Sequence, residues 1–145
     1  MTTVETNFKP AFDIGHKAEL KVLEHCKQID PDSRLIEGKF KDYDLIMPNR
    51  HITVEIKKDV MAKDTGNYAI EFRCNGNPSG ISATKALYWV IVDEGQMLWF
   101  LTGSLKNFLK ANWKYLKKVK GGDDNSSEMI LVKKEDLKNL ETWLI

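Results

Sequence analysis

Long apolar runs, clustered cysteines and paired histidines are all missing from this 145-residue chain, and each absence removes a class of function. The longest uninterrupted apolar run, Ala86 to Val92, is seven residues, far short of the roughly 20 that a membrane-spanning helix needs. Met1 to Lys9 is polar and lacks the apolar centre of a secretion signal. The two cysteines, Cys26 and Cys74, have no metal-ligand spacing. They read as reduced thiols in a cytoplasmic protein, the host cytoplasm if the source is viral. Three scattered histidines without an HExxH pair argue against a zinc hydrolase. No GxGxxG follows a strand pattern, and no phosphate loop ends in Lys-Ser or Lys-Thr, so a nucleotide-dependent enzyme lacks support.

Hydrophobic residues at 42% and charged residues at 30% mark a soluble, globular class. The length suits one domain over residues 1–145. Net charge is +1 and says nothing of a polyanionic partner; only its distribution would.

Residues 1 to about 12 read as a polar lead-in. Ala18, Val22, Cys26 and Ile29 recur at helical spacing and predict a helix from Gly15 to Ile29, stopped before Pro31. Arg34–Phe40 reads as a strand, and Tyr68–Phe72 as another with Tyr68, Ile70 and Phe72 on one face. Asn75–Gly80 is a turn cluster that opens a short helix over Ile81–Ala86. Leu87–Val92 is apolar throughout, as in a central strand covered on both sides. Met97–Leu101 is a further strand. Ser104–Lys118 is a helix with Leu105, Phe108, Leu109, Trp113 and Leu116 along one side. A short strand over Met129–Val132 and a closing helix over Glu135–Trp143 complete the chain. Trp89, Trp99, Phe100 and Trp113 fall on apolar faces and read as core.

The most informative charges lie on two short apolar runs joined by Pro48-Asn49-Arg50. The first is Tyr43-Asp44-Leu45-Ile46-Met47 and the second His51-Ile52-Thr53-Val54-Glu55-Ile56-Lys57-Lys58. Alternation sends Glu55 and Lys57 one way and Ile52, Val54 and Ile56 the other. If the runs pair as a hairpin, Asp44 joins Glu55 and Lys57 at one end of the sheet. Two carboxylates suit a hard divalent cation, and an ammonium can hold a water or a phosphate. A decoy, Pro31-Asp32 followed by Glu37-Gly38-Lys39, lacks the intervening turn.

A helix, a three-stranded meander, a helix and a strand, with Asp44 and Glu55-Ile56-Lys57 on the second and third strands, resembles the PD-(D/E)xK nuclease superfamily, and within it the small resolvase-like and phage-type endonucleases. The resemblance covers about residues 15–92, leaving about 93–145 as an extension. It implies an α/β, restriction-endonuclease-like three-layer sandwich: a central mixed sheet flanked by helices on an α-β-β-β-α-β core. It also implies a Mg²⁺-dependent deoxyribonuclease, an endonuclease in preference to an exonuclease, with Mn²⁺ able to substitute. Branched DNA or recombination and replication intermediates are the implied substrates, and a homodimer the implied assembly. Asp44 and Glu55 would be metal ligands with the main-chain carbonyl of Ile56. Lys57 would orient the attacking water, and Glu19 on the first helix would add a ligand, ahead of Glu24. Asp44 follows Tyr43 where the family pattern has proline. Lys85, Ser79 and Lys58 would face DNA near the site, and Lys106, Lys110 and Lys114 further off. The alternative is a catalytically silent module on the same fold that binds nucleic acid or protein.

Overall fold

Alternation and helical spacing build two sheets that share one interior. The computed structural model describes residues 3–38, 42–60 and 62–142, and only the backbone of residues 3–13 and of Asp123. It contains α1 (Thr3–Ile29), β1 (Arg34–Leu35), β2 (Leu45–Met47), β3 (Ile52–Lys58), α2 (Ala62–Thr65), β4 (Asn67–Cys74), β5 (Asn77–Pro78), β6 (Tyr88–Asp93), β7 (Gln96–Leu101), α3 (Thr102–Asn112), β8 (Lys117–Gly121), β9 (Ser127–Lys133) and α4 (Lys134–Lys138). One sheet has the order β1-β2-β3-β6-β7, and the other β5-β4-β9-β8. The first is mixed, because β3 and β6 run parallel while its other pairs are antiparallel.

Ala18, Val22 and Cys26, four residues apart on α1, pack on one face of the mixed sheet against Val54, Ile56, Val90 and Val92. Burial pushes the Cys26 thiol up to about 12, which leaves it inert at neutral pH. The opposite face, carrying Trp89, Ile91, Leu98 and Phe100, meets Tyr68, Ile70 and Ile130 of the second sheet, with Leu105 of α3 and Leu137 of α4. The protein is therefore mixed α/β: α1, then the five-stranded sheet, then a second sheet with two helices.

Five sequence expectations change. Helix α1 begins at Thr3, ahead of Gly15. The first strand is only Arg34–Leu35 of the expected Arg34–Phe40; residues 39–41 lie outside the described set. Ile81–Ala86 is not a helix: a single 3-10 turn, Gly80–Ser82, is all that forms. Gly80 sits at φ 53°, and a Cβ there would run into the carbonyl oxygen of Glu71, so the chain turns tightly over β4. The last third is no appendage. Its β7 closes the mixed sheet, and β8 and β9 supply half of the second. Helix α3 ends at Asn112, so Lys114 falls on a 3-10 turn and Lys117, Lys118 and Lys120 on β8.

Candidate active site

The hairpin forms as its alternation predicts. Leu45 pairs with Val54 and Met47 with Ile52, around a 3-10 turn at Pro48–Arg50 closed by His51 in the left-handed region. One step further, the main-chain N–H of Asp44 donates to the Val54 carbonyl at 2.9 Å. That register sets Asp44 beside Glu55. A second clamp fixes the turn to the end of α1: the buried Asp30 carboxylate accepts from Asn49 N at 2.9 Å, Asn49 Nδ2 at 2.8 Å and Asp32 N at 3.0 Å. Burial alone would raise the Asp30 carboxyl, but these bonds hold it below the ordinary value. Asp32 of the decoy string accepts from the same Asn49 amide at 2.8 Å, a structural tie.

Asp44 is 6% exposed. Its Oδ2 accepts from the N–H of Ile56 at 2.7 Å, which locks the carboxylate against β3. Lys57 Nζ lies 3.3 Å from Glu55 Oε2 and 5.5 Å from the centre of the Trp89 ring. The Thr84 hydroxyl lies 3.1 Å from Glu55 Oε1. That hydroxyl also accepts from Ala86 N at 3.2 Å, so its proton is directed toward an acceptor. The tight turn at Gly80 delivers Thr84, and Lys85 N then donates to the Asp42 carbonyl at 3.1 Å. Burial raises the Glu55 carboxyl. Lys57 counteracts this, but the Asp44 carboxylate beside it adds to the rise, and the net shift is upward.

A buried Asp44 thus lies beside a half-buried Glu55 that carries the Lys57 ammonium. This donor set fits a small hard cation, which is held by one or two carboxylates and keeps waters and substrate phosphates as its other ligands. Among the described residues no group of three His, Cys, Asp or Glu gathers to hold a metal. Glu19 lies on α1, which packs against Val54 and Ile56, the face of β3 opposite Glu55 and Lys57. Lys58 also lies off the Glu55 face, in a groove with Ile14, Lys17 and Lys21. Glu71 sits on β4 opposite Met129. Ser79 Oγ is sealed from solvent with no hydrogen-bond partner and caps nothing, so it leaves no surface hydroxyl for a phosphate. Lys85 is exposed next to Thr84.

Family models, curated proteins and solved structures yield no match to this chain. The functional reading rests on geometry.

Thr84 was missed by sequence reasoning, and its one signal was its place beside Lys85. Trp113, expected in the core, is 41% exposed. Trp89, Trp99 and Phe100 are buried as expected.

Proposed function

We propose that this chain is a metal-dependent nuclease that hydrolyses DNA phosphodiester bonds, built on a restriction-endonuclease-like core. The observation that carries the reading is the juxtaposition of Asp44 and Glu55 on adjacent strands, with Lys57 on Glu55 at 3.3 Å. The order of helix α1, the meander β1-β2-β3 and the parallel partner β6 supports that reading. Among the described residues the crossover from β3 to β6 holds the one-turn helix α2, then β4, β5 and a 3-10 turn, in place of a long second helix.

Asp44 and Glu55 would hold the Mg²⁺, with the main chain of Ile56 against Asp44. When bound, the cation supplies Lewis acidity for the scissile phosphate and a more acidic water. Lys57 orients that water or neutralises charge building on the phosphate oxygens. Thr84 holds Glu55 in place, and Ile56 N–H holds Asp44. Exposed Lys85 meets a neighbouring phosphate of the strand.

The test is incubation of the purified chain with supercoiled, linear, single-stranded and branched DNA and Mg²⁺ or Mn²⁺. Cleavage that needs the divalent ion is expected. Cutting that persists in the Asp44→Ala, Lys57→Ala double variant overturns the assignment, and binding without cutting points to a silent binding module. Two copies are expected to act together on the two strands; sedimentation as a monomer with and without DNA excludes that.

A further inference from the structure

Residues 95–122 contain six lysines and no aspartate or glutamate, which leaves the rest of a chain of net +1 at −5. That stretch forms β7, α3, a 3-10 turn and β8. Part of it lines a groove of about 350 Å³ with Ile81, Ser82, Lys106, Leu109, Lys110 and Trp113. Ile81 and Ser82 belong to the turn that reaches Glu55 two residues later through Thr84, so the groove starts beside the candidate active site.

Its floor is apolar and its rim cationic. Ile81 and Leu109 are buried, while Lys110 and Trp113 are exposed. The Trp113 ring is held in place rather than loose: Phe72 meets it edge-on at 5.1 Å, and Lys118 Nζ sits 4.5 Å from its centre while donating to the Trp113 carbonyl. Two residues on, Tyr115 is 76% exposed with Lys114 Nζ 5.3 Å from its ring. Duplex DNA presents phosphates but keeps its bases stacked inside. A fixed aromatic surface between lysines matches an unpaired base and its flanking phosphates.

We propose that this groove takes an unpaired nucleotide of single-stranded DNA, its base against Trp113 and its phosphates on Lys106 and Lys110. The groove rests on the nuclease reading for DNA as substrate, and directs that nuclease to DNA with an unpaired segment near the cut.

Binding is measured by fluorescence anisotropy in EDTA, so neither metal nor cleavage contributes. The probes are a short labelled oligothymidylate, an abasic strand of equal length and a blunt duplex. The native protein is expected to bind the oligothymidylate about tenfold more tightly than the abasic strand. Trp113→Ala abolishes that difference, and Trp113→Phe keeps most of it. Lys106→Gln with Lys110→Gln weakens both single strands alike and flattens the salt dependence. The proposal is overturned if the native protein does not separate base-bearing from abasic strands. Discrimination retained in Trp113→Ala, or competition by polyglutamate equal to that by DNA, overturns it as well. Mg²⁺-dependent cleavage without base discrimination sinks the groove alone. Discrimination with no cleavage of any DNA sinks the nuclease reading and leaves the groove as a single-strand binding site.

Discussion

Asp93 and Glu55 are acids on the same face of the mixed sheet, and their surroundings shift them in opposite directions. Glu55 stands beside Trp89 in register, and Asp93 follows Trp89 and Ile91 at every second position of β6. Asp93 accepts from the Tyr68 hydroxyl at 3.0 Å and from Lys134 Nζ at 3.0 Å. Burial would raise its carboxyl, but those bonds outweigh burial and lower it. Glu55 has a cation too, yet its other neighbour is a second carboxylate, and its carboxyl rises. The difference lies in the company each acid keeps, since both are largely buried. An acid with partners of its own closes a seam of the fold. One pressed against another acid carries strain that a cation relieves, which is the pattern of a working site.

The largest effect that would break this contrast is on activity. Asp44→Asn or Lys57→Ala should lower Mg²⁺-dependent cleavage about 100-fold or more while the melting temperature stays near the native value. A loss of stability in place of activity would make the pair structural after all. Next comes Asp93→Ala, which strands the Lys134 ammonium and the Tyr68 hydroxyl. Urea unfolding should register a loss of about 2 kcal/mol, with cleavage per folded molecule unchanged. Glu55→Gln should do the reverse, raising metal-free stability at neutral pH while abolishing cleavage.

The smallest effects are in pH, and their signs are opposite. With its carboxyl raised, native Glu55 binds its proton more readily than the unfolded chain does. Metal-free stability should therefore fall as pH climbs from the ordinary carboxylate range through the raised value, and Glu55→Gln should remove that fall. With its carboxyl lowered, Asp93 contributes stability that is complete above the ordinary carboxylate value. That contribution disappears as pH drops through the lowered one, so the gap between the native protein and Asp93→Ala should close in acid. Parallel pH profiles for the two variants would erase the contrast.

The hairpin was legible because its cause is local: period-two alternation, a proline turn and two short runs specify pairing and facing together. The strand β6 was legible from an apolar run too short for a membrane helix. The end of α3 was not. Leu105 to Leu116 keeps helical spacing, but the chain leaves the helix after Asn112 so that Lys117–Gly121 can pair with β9. Trp113 looked like core for the same reason, and the early exit turns its ring outward. The helix expected over Ile81–Ala86 gives way to a single 3-10 turn although Ala83, Lys85 and Ala86 favour helix, because Gly80 takes a positive φ and seats the chain tightly against the Glu71 carbonyl of β4.

Local pattern in the chain was enough to specify one apolar face and one acidic edge on β2 and β3, because alternation is written into consecutive residues. The covering of that sheet by a second sheet, the approach of Thr84 to Glu55 and the crowding of Asp44 on Glu55 came from the folded arrangement. Those depend on pairings between segments distant along the chain, whose register and burial energies no short window of sequence contains.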